Sequence, residues 1–255
     1  MYGRELAFAN EVADRAAEVA LGYFQGEFEV RQKADATPVT EADLAVEAMV
    51  RERLSREFPA DAVLGEEHGL EGDGSAVRVW VVDPIDGTKN FAAGIQIWAT
   101  LIALMEDGEP VMGVIGAPAI GERYAAARGA GATLNGRPIH ASARTALEGA
   151  FVTFGGLDGW LGTPRWDGFR RLTAAAGRTR GFGDFWGHAL VARGAADVMV
   201  EPELRTWDWA ALAVVVREAG GQITQLDGSP LADRGSALTT NGALHDRVVE
   251  VLAGP

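Results

Sequence analysis

The sequence predicts an α+β first half with an antiparallel sheet, followed by an α/β second half. Three observations carry this prediction. Two helical patterns open the chain, short apolar runs with a hairpin signal come next, and from about residue 150 helical and strand patterns alternate. A small-residue connection, Ser142 to Gly149, marks the seam, so the halves are expected at 1–145 and 146–255. With 255 residues and 47% hydrophobic content, the two can pack closely as one compact unit.

Residues 4–24 set Leu6, Ala9, Val12, Ala13, Ala16, Val19 and Ala20 on one helical face. A second helix starts at Thr40, where Thr40-Glu41-Ala42-Asp43 resembles a capping box. It runs to Phe58, with Pro59 just beyond. Val79 to Val82 read as a buried strand, and strands near 97–105 and 111–116 follow. A strand pair within 123–139 turns at Asn135-Gly136. In the second half a strand near 150–154 precedes helices near 164–176 and 185–193, then a strand over Ala196 to Val200. A helix from Thr206 to Ala219 stops at Gly220-Gly221, and strands near 222–226 and 236–240 lead to a last helix near 244–252.

Charge and composition narrow the function. Asp and Glu number 36 against 23 Lys and Arg, a net −13, which argues against a nucleic-acid surface. The same field repels an anionic substrate unless bound cations reverse it locally. Cysteine is absent, and His68, His140, His188 and His245 are scattered, which excludes thiol chemistry and argues against a histidine-built metal centre. The N-terminus alternates charged and apolar residues at helical spacing, unlike a signal peptide. Apolar runs such as Ile97 to Met105 are far shorter than the ~20 residues of a membrane span. A cytoplasmic protein without membrane association is expected.

The most informative stretch is Trp80-Val-Val-Asp-Pro-Ile-Asp-Gly-Thr-Lys-Asn-Phe91. Asp83 and Asp86 lie where a buried strand leaves the core, and a carboxylate there needs a partner or a cation. Two hard oxygen donors on a stiff turn suit Mg²⁺, and Gly87 and Thr88 add amides and a hydroxyl for a phosphate. Taken alone, an Asp-x-x-Asp turn reads more readily as a helix cap.

Asp83 to Phe91 resembles the signature of the inositol monophosphatase superfamily of Mg²⁺-dependent phosphomonoesterases. Further segments resemble it too. Gly65-Glu66-Glu67-His68-Gly69 looks like the family's Gly-Glu-Glu loop, although a Glu pair between glycines is ordinarily a solvated surface feature. Trp207-Asp208-Trp209-Ala210-Ala211 looks like its second signature. The local alternative there is Asp208 near a helix N-terminus with Thr206 as cap. Lys33 and the run Thr37 to Asp43 look like its upstream segment, and Asp43 is open between a capping role and a catalytic one.

The resemblance implies a layered αβαβα sandwich, a homodimer and two to three Mg²⁺ ions. It implies metal ligation by Glu66, Asp83, Ile85, Asp86 and Asp208, and catalytic roles for Asp43, Thr88 and Glu66, with Thr88 and Asp43 activating the attacking water. Lys33 and Glu67 are accessory candidates. The substrate is a small phosphorylated metabolite bound by Asp86, Gly87, Thr88, Asp184, Glu201 and Asp208.

Within the superfamily, Lys89, the run Gly94 to Leu104, Gly183-Asp184, Gly187 to Ala192 and Ala196 to Leu204 resemble the histidinol-phosphatase branch. The expected reaction is therefore hydrolysis of L-histidinol phosphate. Inositol 1-phosphate is the alternative, and a sugar bisphosphate, phosphoadenosine phosphate or a regulatory role is more distant. Asp184, Glu201 or Glu203 would pair with the ammonium or imidazole of histidinol. Phe182, Phe185 and Trp186 would pack the ring or else belong to the core.

Overall fold

The computed structural model describes residues 2–26, 30–32, 38–73 and 76–254. The chain opens with α1 (Gly3–Tyr23), the short pair β1 (Val30–Gln32) and β2 (Pro38–Thr40), and α2 (Glu41–Glu57). Next come β3 (Ala62–Gly65), β4 (Gly69–Glu71), β5 (Arg78–Asp86), the one-turn α3 (Thr88–Ala92), β6 (Ala99–Glu106) and β7 (Glu109–Ala117). β8 (Glu122–Ala127), β9 (Ala132–Leu134) and β10 (Arg137–Ile139) complete an eight-stranded sheet ordered β10-β9-β8-β7-β6-β5-β3-β4.

The remainder comprises β11 (Phe151–Phe154), α4 (Trp166–Ala175), β12 (Arg178–Gly181), α5 (Asp184–Ala192), β13 (Val198–Arg205) and α6 (Thr206–Glu218). It ends with β14 (Gln222–Thr224), β15 (Arg234–Thr240) and α7 (His245–Ala253). Its five strands are ordered β12-β11-β13-β15-β14.

Three apolar clusters show how the layers stack. On β5, β6 and β7 the residues Trp80, Val82, Ile102, Leu104, Met112 and Val114 pack under α1 and α2. Their neighbours Val81, Leu101, Ala103 and Ile115 face the other way, onto α5 and α6. Both faces are covered, so these strands read as continuous apolar runs. A third cluster packs Val152, Val198, Val200 and Leu238 against Phe169, Leu172 and Val248 of α4 and α7. The result is the αβαβα sandwich. α6 lies in its middle layer and is buried continuously from Trp209 to Val216, as expected of a helix that is apolar on every side.

The predicted turn at Asn135-Gly136 is present between β9 and β10, with φ of +50° and +75°. One pairing departs from the expected antiparallel sheet. β3 runs parallel to β5, because β4 first folds back on the outer edge of β3 and the chain then crosses to the other side. Six short elements carry too little pattern to be expected: β1, β2, β3, β4, the polar edge strand β12 and α3.

Between the two large sheets, Asp197 is a buried junction. It accepts hydrogen bonds from Ser142 Oγ (2.5 Å), Arg144 Nε (3.1 Å) and Phe151 N (2.8 Å). Asp197→Ala strands these donors. We expect a loss of ~2–4 kcal/mol in denaturant unfolding with unchanged secondary structure; a change below ~0.5 kcal/mol would show that the junction is not needed.

Candidate active site

Asp83 and Asp86 both lie on β5, three positions apart, where a regular strand would point them to opposite faces. The strand is not regular there. Asp83 pairs with Leu101 and Asp86 with Ala99, so β5 carries an extra residue between them and the pleat is reset. Pro84 sits in this bulge with no N–H to lose, and its carbonyl accepts Thr100 Oγ1 at 2.8 Å. The two carboxylates therefore converge. With Asp208 from α6, they place ligand oxygens within 4.8 Å of one another.

Two of the three are fixed by backbone N–H groups. Asp86 Oδ2 accepts Phe185 N at 2.6 Å, at the start of α5. Asp208, third residue of α6, accepts Arg205 N through Oδ2 at 2.7 Å. Two helix N-termini thus meet the cluster, and their dipoles offset part of its charge. Thr206 is not the cap of α6, as the local sequence suggested. Arg205 takes that place, and Thr206 Oγ1 turns away to Asp233 at 2.7 Å. Glu66 stands outside the trio, in the turn after β3. There Glu66 N donates to Val82 O at 3.2 Å, which sets it beside Asp83.

The electrostatics are those of a cation site. Burial raises Asp83 well above the usual carboxylate range, and the charges of Glu66, Asp86, Asp208 and Asp43 add to it. Burial likewise raises Asp86, then the charges of Asp184 and Asp208, against the Phe185 N–H. Asp208 is pushed up to about 7, chiefly by burial, with the Arg205 N–H opposing and Glu66 adding. Asp83 Oδ1 is buried and has no hydrogen-bond partner among the described residues. Mutually repelling carboxylates with an orphaned buried oxygen fit a bound hard cation.

Beside the cluster, Gly87 takes φ +84°, and a Cβ there would lie 3.0 Å from Ile97 O and 3.5 Å from Asp184 Oδ2. Thr88 opens α3, with Oγ1 lying 2.9 Å from Ile85 O and 3.3 Å from Asp43 Oδ1. Asp43 makes the contacts that both of the roles left open by its sequence would need. Its Oδ2 closes the capping box with Thr40 N (2.8 Å) and Thr40 Oγ1 (2.5 Å), and its Oδ1 faces Thr88. The side chain of Ile85 is fully buried, so only its carbonyl is available to a ligand.

Asp184 lies at the rim, at the first position of α5 with φ +54°. Its Oδ2 accepts Asn90 Nδ2 at 3.0 Å, and the same amide nitrogen donates to Ile97 O at 2.9 Å. Burial raises Asp184, and the nearby Lys89 ammonium works against that. Glu201 Oε1 accepts Asp184 N at 3.3 Å, and burial, then the Asp184 charge, pushes Glu201 up to about 8.

The side chains of Glu203 and Phe185 lie away from the cluster, Phe185 taking the core alternative left open for it. Glu203 points away to an ion pair with Arg234 at 2.5 Å, since it falls on the exposed end of β13. Phe185 is wholly buried among core residues on the face shared with α6. Phe182 and Trp186 pack edge-on against each other at 5.0 Å, with Phe151 beside Phe182. Lys33 lies outside the described residues. Sequence reasoning assigned no role to Asn90, although it lies within the signature string, or to Glu47, which reads like any other helical glutamate.

With five layers around this acidic centre, the comparisons with known proteins are unambiguous: the chain belongs to the inositol monophosphatase family, whose sequence model matches residues 3–253. Among similar relatives are the histidinol-phosphatase of Mycobacterium tuberculosis, 47% identical over 254 residues and covering 96% of each chain, and that of Streptomyces coelicolor, 45% identical with 98% and 97% covered. A solved inositol monophosphatase from Anabaena aligns at TM-score 0.87 and 33% identity, covering 98% of this chain and 95% of that one. One from Zymomonas mobilis gives 0.88 and 31%, with 100% and 99% covered. Among the described residues no helix is long and apolar enough to cross a membrane.

Proposed function

We propose that the chain is an Mg²⁺-dependent phosphomonoesterase that hydrolyses L-histidinol phosphate to L-histidinol and phosphate. The observation that carries the substrate is the pair Asp184 and Glu201, two acids beside a phosphate-handling centre, joined by a 3.3 Å hydrogen bond from Asp184 N. The ammonium of histidinol complements them as a cation, and its imidazole can donate a hydrogen bond. The histidinol-phosphatase names of the relatives at 45–47% identity support the same reading.

Asp83, Asp86, Asp208, Glu66 and the Ile85 carbonyl would hold two to three Mg²⁺ ions. The chemistry such cations supply is a lowered pKa for the attacking water and neutralisation of charge on the phosphoryl oxygens. Thr88 and Asp43 manage the proton. As Thr88 Oγ1 accepts hydrogen from the water, it passes its own to Asp43 Oδ1, 3.3 Å away. The Gly87 and Thr88 amides, at the start of α3 where helical N–H groups lack intrahelical partners, meet the phosphate. Asn90 keeps Asp184 aimed at the rim. A cationic substrate group also draws Glu201 back to its ionised form.

The test compares kcat/KM on histidinol phosphate and inositol 1-phosphate, for the native chain and Asp184→Asn. Asparagine tolerates the left-handed φ where alanine adds strain. We expect the native chain to favour histidinol phosphate, and the variant to lose ~10–100-fold on it, about 1.5–3 kcal/mol for a charge-assisted contact, with less than ~3-fold lost on inositol 1-phosphate. Equal losses would remove Asp184 from recognition. A native preference for inositol 1-phosphate would overturn the substrate.

A further inference from the structure

We propose that Glu47 is a positioning residue that holds the turn carrying Glu66 in its cation-binding shape. The proposal rests on the cation role given to Glu66 above.

Glu47 lies mid-helix in α2 and is completely buried. A lone buried carboxylate is costly, yet this one receives four hydrogen bonds. Oε1 accepts Arg51 Nε (2.8 Å), His68 N (3.1 Å) and His68 Nδ1 (3.0 Å), and Oε2 accepts Glu67 N (2.7 Å). Three of those donors belong to residues 67 and 68, in the turn between β3 and β4, where backbone N–H groups have no strand partner.

Arg51 extends the clamp. It donates to Gly69 O (2.6 Å) and Val63 O (3.4 Å), and it neutralises Glu47. Gly65 leaves room for both side chains, since a Cβ there would lie 2.3 Å from Glu47 Oε1 and 2.7 Å from Arg51 Nη2. Glu66 is therefore gripped on both sides: its own N–H is tied to Val82 O, and the next two residues are tied to Glu47. Glu47 is a partner to the turn and makes no claim as a ligand. Its effect passes through the backbone to the orientation of Glu66.

Glu47→Gln keeps the size but sets an –NH₂ against amide donors, so at least one of the four bonds is lost. The experiment measures Mg²⁺ Kd by calorimetry on chelator-treated protein, amide exchange of residues 65–69, and turnover against Mg²⁺ concentration. We expect Kd to rise ~10–100-fold, as for other groups that orient ligands. Exchange at Glu67 and His68 should accelerate, and kcat should largely recover at saturating Mg²⁺. A lower Tm with unchanged Kd would overturn the proposal and leave Glu47 a purely structural residue. Should Glu47→Gln not fold, Arg51→Lys, which loses the forked contact to the turn, must weaken Mg²⁺ binding in the same sense, and an unchanged Kd there also overturns it. If native protein binds no Mg²⁺, or Asp86→Asn binds it equally well, the underlying cation reading fails, a result distinct from any behaviour of Glu47.

Discussion

Asp86→Asn abolishes Mg²⁺-dependent turnover and yet raises the thermal stability of the cation-free protein. Both effects come from the same carboxylate. Asp86 is one of three acids with converging oxygens, and a neutral amide is a poor ligand for a hard cation. A loss of at least ~10³-fold in kcat/KM is expected. The tether to α5 survives, because the asparagine oxygen can still accept Phe185 N. Without cations, meanwhile, the native cluster repels itself. Removing one charge should stabilise the folded state by ~0.5–2 kcal/mol, or roughly 1–8 °C in Tm.

The sign of the pH dependence follows. Asp208 titrates at about 7 in the folded protein against an ordinary aspartate value of 3.8, and Asp83 and Asp86 are also raised. In that interval the folded state holds more protons than the unfolded one. The destabilisation is complete above the folded values and is relieved as pH falls through about 7 towards 4. The cation-free protein should therefore gain stability on mild acidification, with a shallower trend in Asp86→Asn, and saturating Mg²⁺ should suppress the trend because protons and cations compete. Calorimetric scans at several pH values, with and without chelator, check this. A variant less stable than the native protein in chelator, or one that retains a tenth of native turnover, contradicts the account.

Asp43→Asn separates two tasks carried by one side chain. The cap needs only an acceptor opposite Thr40, and the amide oxygen can supply that. The proton path needs a base opposite Thr88, and an amide cannot take a proton. We expect kcat to fall ~10²–10⁴-fold while stability changes by no more than ~1 kcal/mol. Mg²⁺ affinity, measured on the same protein, should stay close to native. A kcat within tenfold of native would move the proton path elsewhere, and a large loss of stability would make Asp43 chiefly a cap.

What could be read from the sequence depended on how local each cause is. Asp83, Asp86, Gly87 and Thr88 fall within six consecutive residues, so their chemistry stands out in one string. The layering was expected from the family resemblance, and the long apolar runs of β6, β7 and α6 agree with it because they record burial on both sides. β12, Arg-Thr-Arg-Gly, is polar because it forms the sheet edge, and nothing in its composition marks a strand. The bulge between Asp83 and Asp86 depends on pairing with β6, so the sequence could not show that the two acids converge. Glu47 was the least legible. Three of its four donors lie 20 and 21 residues away, and an i,i+4 Arg51 is what any solvated helical glutamate could have. Glu203 misled for the opposite reason, since its proximity to Glu201 in the chain says nothing about which end of β13 is exposed.

The first turn of α5 bears on how substrate choice can change over descent. The Phe185 N–H holds Asp86 of the acidic cluster, while under the proposed function the Asp184 side chain one residue earlier takes part in recognition. A new side chain at 184 leaves that N–H in place, so specificity can drift by single substitutions without disabling hydrolysis. The φ of +54° narrows the alphabet, since only Asp, Asn and Gly occupy that region readily. A lineage changing its preferred alcohol has few unstrained letters here, and each of them fixes whether a charge faces the substrate.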